Sequence, residues 1–172
     1  MTKYYADASG NYLGGFDGAT PPAGAIEVSL APTDASQKWN GSAWGFSLAD
    51  AKAMMWKKIH DERERRKFTG GFLVGTLWFD SDLNSRADYI AMLSRATRLA
   101  SLPTFVFHAA WKTMSGVTTP MTVANLVLIE DKAFANDKLI HDNAEAHKVA
   151  MEASPTPLSY DYSTGWPAMY GG

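Results

Sequence analysis

The spacing of apolar residues changes along this chain, and each change predicts a different element. Over residues 1 to about 46, small aromatic and β-branched groups are broken every few positions by Gly, Pro, Asn, Asp or Ser, a pattern of short strands and turns. Tyr4-Tyr5 and Tyr12-Leu13 flank Asp7-Ala8-Ser9-Gly10-Asn11 and predict a hairpin. Ala25-Ile26-Glu27-Val28 follows the rigid Thr20-Pro21-Pro22 corner, and Trp39 and Trp44 flank an Asn40-Gly41 pair that favours a tight hairpin turn. From Ser47 the period becomes helical. Leu48, Ala51, Met55, Ile59 and Glu62 step by three and four residues, Ser47 can cap the helix, and Gly70-Gly71 can stop it after about five turns.

Phe72-Leu73-Val74 and Leu77-Trp78-Phe79, on either side of Gly75-Thr76, predict a further hairpin. Ser81 or Asp82 then caps a helix through about Ala100, with Leu83, Ala87, Ile90, Leu93 and Thr97 along one face and Pro103 closing it. A strand pair, Thr104 to Trp111 and Val117 to Met121, brackets the turn Met114-Ser115-Gly116. Thr122 can cap a last helix reaching Ala153, roughly 45 Å long at 1.5 Å per residue, so it must kink or project an end. Ser154 to Gly172 has Tyr160, Tyr162, Trp166 and Tyr170 but no helical period, and reads as an irregular tail lying on a surface.

The fold class expected from this order is α+β. Residues 1–46 form a small β-hairpin module, 47–153 a domain of about three helices with short β-hairpins, and 154–172 an extended aromatic tail. The first module has short strands and little apolar stock, so alone it would be marginal and should dock on something. Over all 172 residues, 46% hydrophobic and 20% charged content places the chain among globular proteins. A net charge of -2 gives no field to gather nucleic acid or anionic lipid. The absence of Cys removes disulfides, thiolate metal sites and thiol nucleophiles. Met1-Thr2-Lys3-Tyr4-Tyr5 lacks the apolar core of a signal peptide, and no apolar run approaches the roughly 20 residues of a membrane span. Synthesis in a cytoplasm is expected, with neither nucleic acid nor membrane as partner.

Side chains that could carry chemistry are few. On the last helix His141, Asp142, Glu145 and His147 do not make the i,i+4 histidine pair of a zinc-protease helix, and read as a solvated face. His108 alternates with Phe105 and Phe107 as a packing residue, and Asp80-Ser81-Asp82 is explained by capping and the helix dipole. The run Gly14-Gly15-Phe16-Asp17-Gly18 lacks the strand-then-helix context of a phosphate loop and reads as a turn. Lys57 through Lys67 mixes six basic with three acidic residues, a solvated face laced with pairs such as Glu62 with Arg66. No catalytic residue, metal ligand or cofactor site is therefore expected.

Several stretches nevertheless carry a resemblance. Gly70-Gly71-Phe72-Leu73-Val74-Gly75, then Trp78-Phe79-Asp80-Ser81-Asp82 and Ser85-Arg86, resembles a domain-of-unknown-function family of tailed-phage proteins labelled tail-fibre assembly or tail-fibre-associated. Glu62-Arg63-Glu64-Arg65-Arg66 before it, Trp111-Lys112-Thr113-Met114-Ser115-Gly116 with Met121-Thr122, and Glu145-Ala146-His147-Lys148 with Ala150-Met151-Glu152 belong to the same pattern, which spans about residues 50 to 162. Asp17 to Ala25 and Trp39 to Trp44 are similar to leader modules on such proteins. Asp80 stands where the family pattern has His, so any acid-base or metal role of that His does not carry over. Read from the residues, the motif is structural: Trp78, Phe79 and Trp111 pack, Ser81 or Asp82 caps, and Arg86 pairs with an acidic partner such as Asp82.

The resemblance implies a structural component of a virion tail, associated with the tail fibre or tail tip, whose partners are other tail or tail-fibre proteins and whose place is the virion. Self-association is left open. An assembly chaperone that helps the fibre fold or trimerise is the alternative reading, and a polysaccharide hydrolase using separated carboxylates such as Asp80 and Asp161 is a further one. Six Trp, seven Tyr and eight Phe are more than a small core readily hides. The aromatic residues expected at partner contacts are Tyr4, Tyr5, Trp39, Trp44, Tyr160, Tyr162, Trp166 and Tyr170.

Overall fold

The order of elements follows the order of apolar spacings. The computed structural model describes residues 1–100 and 109–172. The expectations for Pro103, Phe105, Phe107, His108 and most of the strand from Thr104 lie outside the described residues. The chain divides into two compact units, Met1–Met55 with Thr156–Leu158, and Trp56–Pro155 with Ser159–Gly172.

In the first unit, β1 (Lys3–Ala6) pairs antiparallel with β2 (Tyr12–Phe16) on one side and β3 (Ile26–Val28) on the other. The register slips between Tyr5 and Ala6, a bulge that skips Leu13 and places Tyr12 opposite Ala6. Ala6 and Val28 are buried, and Tyr5 meets Phe16 edge-on with ring centres 5.5 Å apart. Gly14 to Phe16 therefore belong to a strand, not to the turn expected for that glycine run. A second hairpin, β4 (Lys38–Trp39) and β5 (Trp44–Gly45), sets Trp39 opposite Trp44. Its turn is wider than a two-residue Asn-Gly turn. Asn40 to Ala43 all lie between the paired tryptophans, and Asn40 Oδ1 accepts from the Ser42 and Ala43 amides at 3.0 and 2.9 Å.

Helix α1 (Leu48–Thr69) starts where Ser47 Oγ accepts from the Asp50 amide and donates to its carboxylate. Ala51, Met55 and Ile59 are buried as the period predicts, whereas Leu48, the first helical residue, is exposed. The helix runs 22 residues, about six turns, and stops at Gly70-Gly71, where Gly71 takes φ +67°.

In the second unit, β6 (Phe72–Val74) and β7 (Leu77–Phe79) form the expected hairpin about Gly75-Thr76, with Gly75 at φ +62°. Helix α2 (Leu83–Leu99) is capped by Asp82, whose carboxylate accepts from the amides of Asn84 and Ser85. Ser81 is not the cap. It is buried, and its hydroxyl accepts from the Gly71 amide at 2.9 Å, tying the hairpin's two ends together. Hairpin β8 (Ala110–Lys112) and β9 (Thr118–Pro120) follows, then α3 (Val123–Ala153), 31 residues capped by Thr122 Oγ1 on the Asn125 amide. The C-terminal stretch contains one 3-10 turn, Pro157–Ser159.

The core of this unit is built from Phe72, Val74 and Phe79 of the hairpin, Tyr89 and Ala96 of α2, Met121 just before α3, and Leu126 and Ile129 in its first turns. The buried face of α2 is thus not the one expected. Leu93 is half-buried, but Leu83, Ala87, Ile90 and Thr97 face solvent. Tyr89 decides the rotation, since its ring meets Phe72, Phe79 and Trp111 edge-on, the last with centres 4.8 Å apart, and an aromatic ring buries more area than any aliphatic on the opposite face.

Candidate functional site

Arg86 is the node that fixes α2 on α3. Its Nε donates to the Ser81 carbonyl at 2.5 Å, its Nη1 and Nη2 grip both oxygens of Asp137 at 2.8 Å each, and Nη2 also reaches the Lys67 carbonyl. The partner is therefore Asp137, 51 residues away, and not Asp82, whose second carboxylate oxygen accepts from the Ser85 hydroxyl instead. The fork geometry of a guanidinium matches a carboxylate in two parallel bonds, which an ammonium cannot do.

Above this node lies a groove of about 160 Å³ between α2 and α3, floored by Arg86, Asp137 and Tyr89 and walled by Ile90 and Phe134. Phe134 is 75% exposed and Ile90 59% exposed. Ile90 and Leu83, the latter 68% exposed, leave an apolar stripe in water on the face of α2 that the sequence assigns to the core, and Phe134 of α3 stands beside Ile90 at the groove. Glu130 is the one charged wall residue outside the Arg86–Asp137 pair.

The aromatic tail is fastened to the same unit, and His147 holds it. That side chain is 8% exposed, not on a solvated face as expected. Nε2 lies 2.9 Å from the Thr164 carbonyl, which can only accept, so Nε2 carries a hydrogen, and Nδ1 shares a hydrogen bond of 2.9 Å with the Tyr160 hydroxyl. Trp166 lies against the imidazole with ring centres 5.3 Å apart and donates its indole N–H to the Tyr162 carbonyl. Arg66 lies over the Trp166 ring at 5.2 Å, bonds the Pro167 carbonyl, and pairs with Glu62 as expected. That pair is largely sheltered, with side chains 17% and 19% exposed, so the basic run is not wholly solvated. The Arg65 guanidinium first, and then Arg66, hold the Glu62 carboxyl below the usual carboxylate range. Further on, the Tyr170 amide donates to the Gly70 carbonyl and its ring tilts over Trp78 at 6.1 Å.

The first unit carries a separate aromatic cluster. Trp44 meets Trp39 at 5.6 Å and Tyr12 at 5.7 Å, and its indole N–H donates to the Leu30 carbonyl at 2.7 Å. Of the aromatics expected at partner contacts, the structure thus places Tyr4 and Tyr5 half-buried in β1, pairs Trp39 with Trp44, and gathers Tyr160, Tyr162, Trp166 and Tyr170 along the fastened tail. In the structural motif Phe79 is buried, while Trp78 and Trp111 are half-buried. Phe134 and Asp137 were missed because both sit in a helix whose polar and apolar positions alternate without one dominant stripe. Among the described residues, no group of three His, Asp or Glu side chains could hold a metal ion, and no helix is long and apolar enough to cross a membrane. Asp161 spends one carboxylate oxygen on the Ser163 amide, a local turn.

Residues 50–164 match the family described as Domain of unknown function (DUF4376). The chain belongs to that family. The match includes α2, the hairpin before it, α3 and the His147 partners Tyr160 and Thr164, but not Trp166, Pro167 or Tyr170, so the groove and the His147 hydrogen bonds fall within the family domain in this chain. Comparison with curated proteins and comparison with solved structures each gave no match.

Proposed function

We propose that this protein is a structural component of a tailed-phage virion, associated with the tail fibre or tail tip, that acts by binding other tail proteins and performs no catalysis. The observation that carries the binding half of this reading is the apolar groove between α2 and α3. Soluble monomers seldom leave a Phe and an Ile side by side this far in water, and such patches mark contact sites. The occupant that fits is an apolar segment of a neighbouring tail protein, because the floor charges are already satisfied by each other and leave Glu130 as the single polar anchor. The tail half rests on the resemblance of Gly70 to Arg86, Trp111 to Thr122 and Glu145 to Glu152 to tail-fibre-associated proteins. In this reading Tyr162 and Tyr170 on the second unit, and separately Tyr4 and Tyr5 on the first, are further contact residues.

Phe134→Glu tests it. The side chain is exposed, so folding should be unaffected, while a charge in the contact should reduce incorporation into particles at least about tenfold. Wild-type incorporation of a folded Phe134→Glu protein would contradict the groove as the contact.

A further inference from the structure

The cleft beside the tryptophan pair in the first unit has a chemistry unlike the α2–α3 groove. It measures about 280 Å³ and is lined by Trp39, Trp44, the exposed Leu30, Gln37 and Ser42 among others; no charged side chain lines it. Its polar groups are set in position before any ligand arrives. Gln37 Oε1 accepts from the Thr33 amide, the Thr33 hydroxyl and the Asp34 amide, at 2.9, 3.1 and 3.2 Å. That carbonyl is saturated, and no described residue receives a hydrogen bond from the amide nitrogen, which is left as a fixed donor. The Ser42 hydroxyl donates to Asn40 Oδ1, so its remaining lone pairs can only accept. Trp44 is pinned through its indole N–H to the Leu30 carbonyl, and Trp39 through its backbone amide to the Gly10 carbonyl at 2.8 Å.

A pinned pair of indole rings, packed edge-on, flanked by one fixed donor and one fixed acceptor and with no charged side chain in the lining, suits a ligand that is apolar on one face and rich in hydroxyls at its edge. We propose that this cleft binds an uncharged carbohydrate, with a pyranose C–H face against one ring of the Trp39–Trp44 pair and ring hydroxyls bonded to Gln37 Nε2 and Ser42 Oγ. An apolar protein anchor fits less well. It would cover the Gln37 amide and the Ser42 hydroxyl without replacing their water, and each polar group buried without a partner works against binding. Charged ligands find no counter-charge in the walls. The inference stands on the first unit alone and does not depend on the tail reading.

Saturation-transfer NMR on the full chain tests it, with chitohexaose, maltohexaose and mannohexaose as neutral probes and oligogalacturonate as the charged comparison. Ala43 lines the cleft, is exposed, and takes part in its turn through backbone atoms only, so Ala43→Arg fills the cleft without removing a contact of the fold, and Ala43→Ser is the conservative control. The expected result is transfer to at least one neutral oligosaccharide with Kd on the order of 1 mM, weakened at least about tenfold in Ala43→Arg and retained in Ala43→Ser. No transfer to any neutral probe at about 10 mM would overturn the proposal. So would equal binding by Ala43→Arg, tighter binding of the charged probe, or a tail protein whose capture is lost in Ala43→Arg while no sugar binds.

Discussion

Arg86→Ala is expected to cost the second unit about 3–5 kcal/mol, the range for removing one member of a largely buried ion pair. Four hydrogen bonds end on this guanidinium, which is only 17% exposed. Its loss strands the Asp137 carboxylate, 23% exposed, with Lys67 Nζ as the nearest cation at 3.9 Å. It also strips donors from the Ser81 and Lys67 carbonyls at the junction of α1, β7 and α2. Arg86→Lys should recover less than half of the loss, because a point charge cannot serve both Asp137 oxygens and the Ser81 carbonyl together. Urea unfolding should show a lower midpoint with an unchanged slope. A loss under about 1 kcal/mol would mean that the pair behaves as an ordinary surface salt bridge.

His147→Ala is expected to release the aromatic tail before it unfolds anything else. The substitution removes two hydrogen bonds, each worth about 1 kcal/mol, and the ring against which Trp166 packs, for a total of about 2–4 kcal/mol. Because the tail meets the unit through a few side chains, the loss should be local. Hydrogen exchange at the Tyr170 amide and the Trp166 indole should rise toward the rate of free peptide, while the Leu126 amide, in the first turn of α3, stays protected. Uniform loss of protection at both places would show instead that tail and core unfold as one.

What the sequence made legible was set by local chemistry. Caps at Ser47 and Thr122, the Gly70-Gly71 stop and the two-residue turn at Gly75-Thr76 depend on neighbours within four residues, and each stands where it was expected. The buried face of α2 did not, because two stripes of similar apolar content compete on that helix and only the position of the Phe72–Phe79 hairpin selects Tyr89 over Ile90. The partner of Arg86 and the role of His147 were illegible for the same reason: their contacts are 51, 13 and 17 residues away in the chain, and nothing in local spacing marks them. Of the candidate site, the aromatic tail and the Trp39–Trp44 pair were readable from composition, whereas the groove at Phe134 follows from tertiary packing alone.

If the chain is a tail component that works by binding, it must be found in the finished particle. Quantitative mass spectrometry of purified virions measures this most directly. The expected result is a fixed, reproducible ratio of this protein to the tail-fibre protein, with cross-links from Lys132 or Lys138, on the same helix as Phe134, to a neighbouring tail protein. Absence from the particle would contradict it, and would point instead to a chaperone released after assembly if the fibre also fails to form a soluble trimer without this chain.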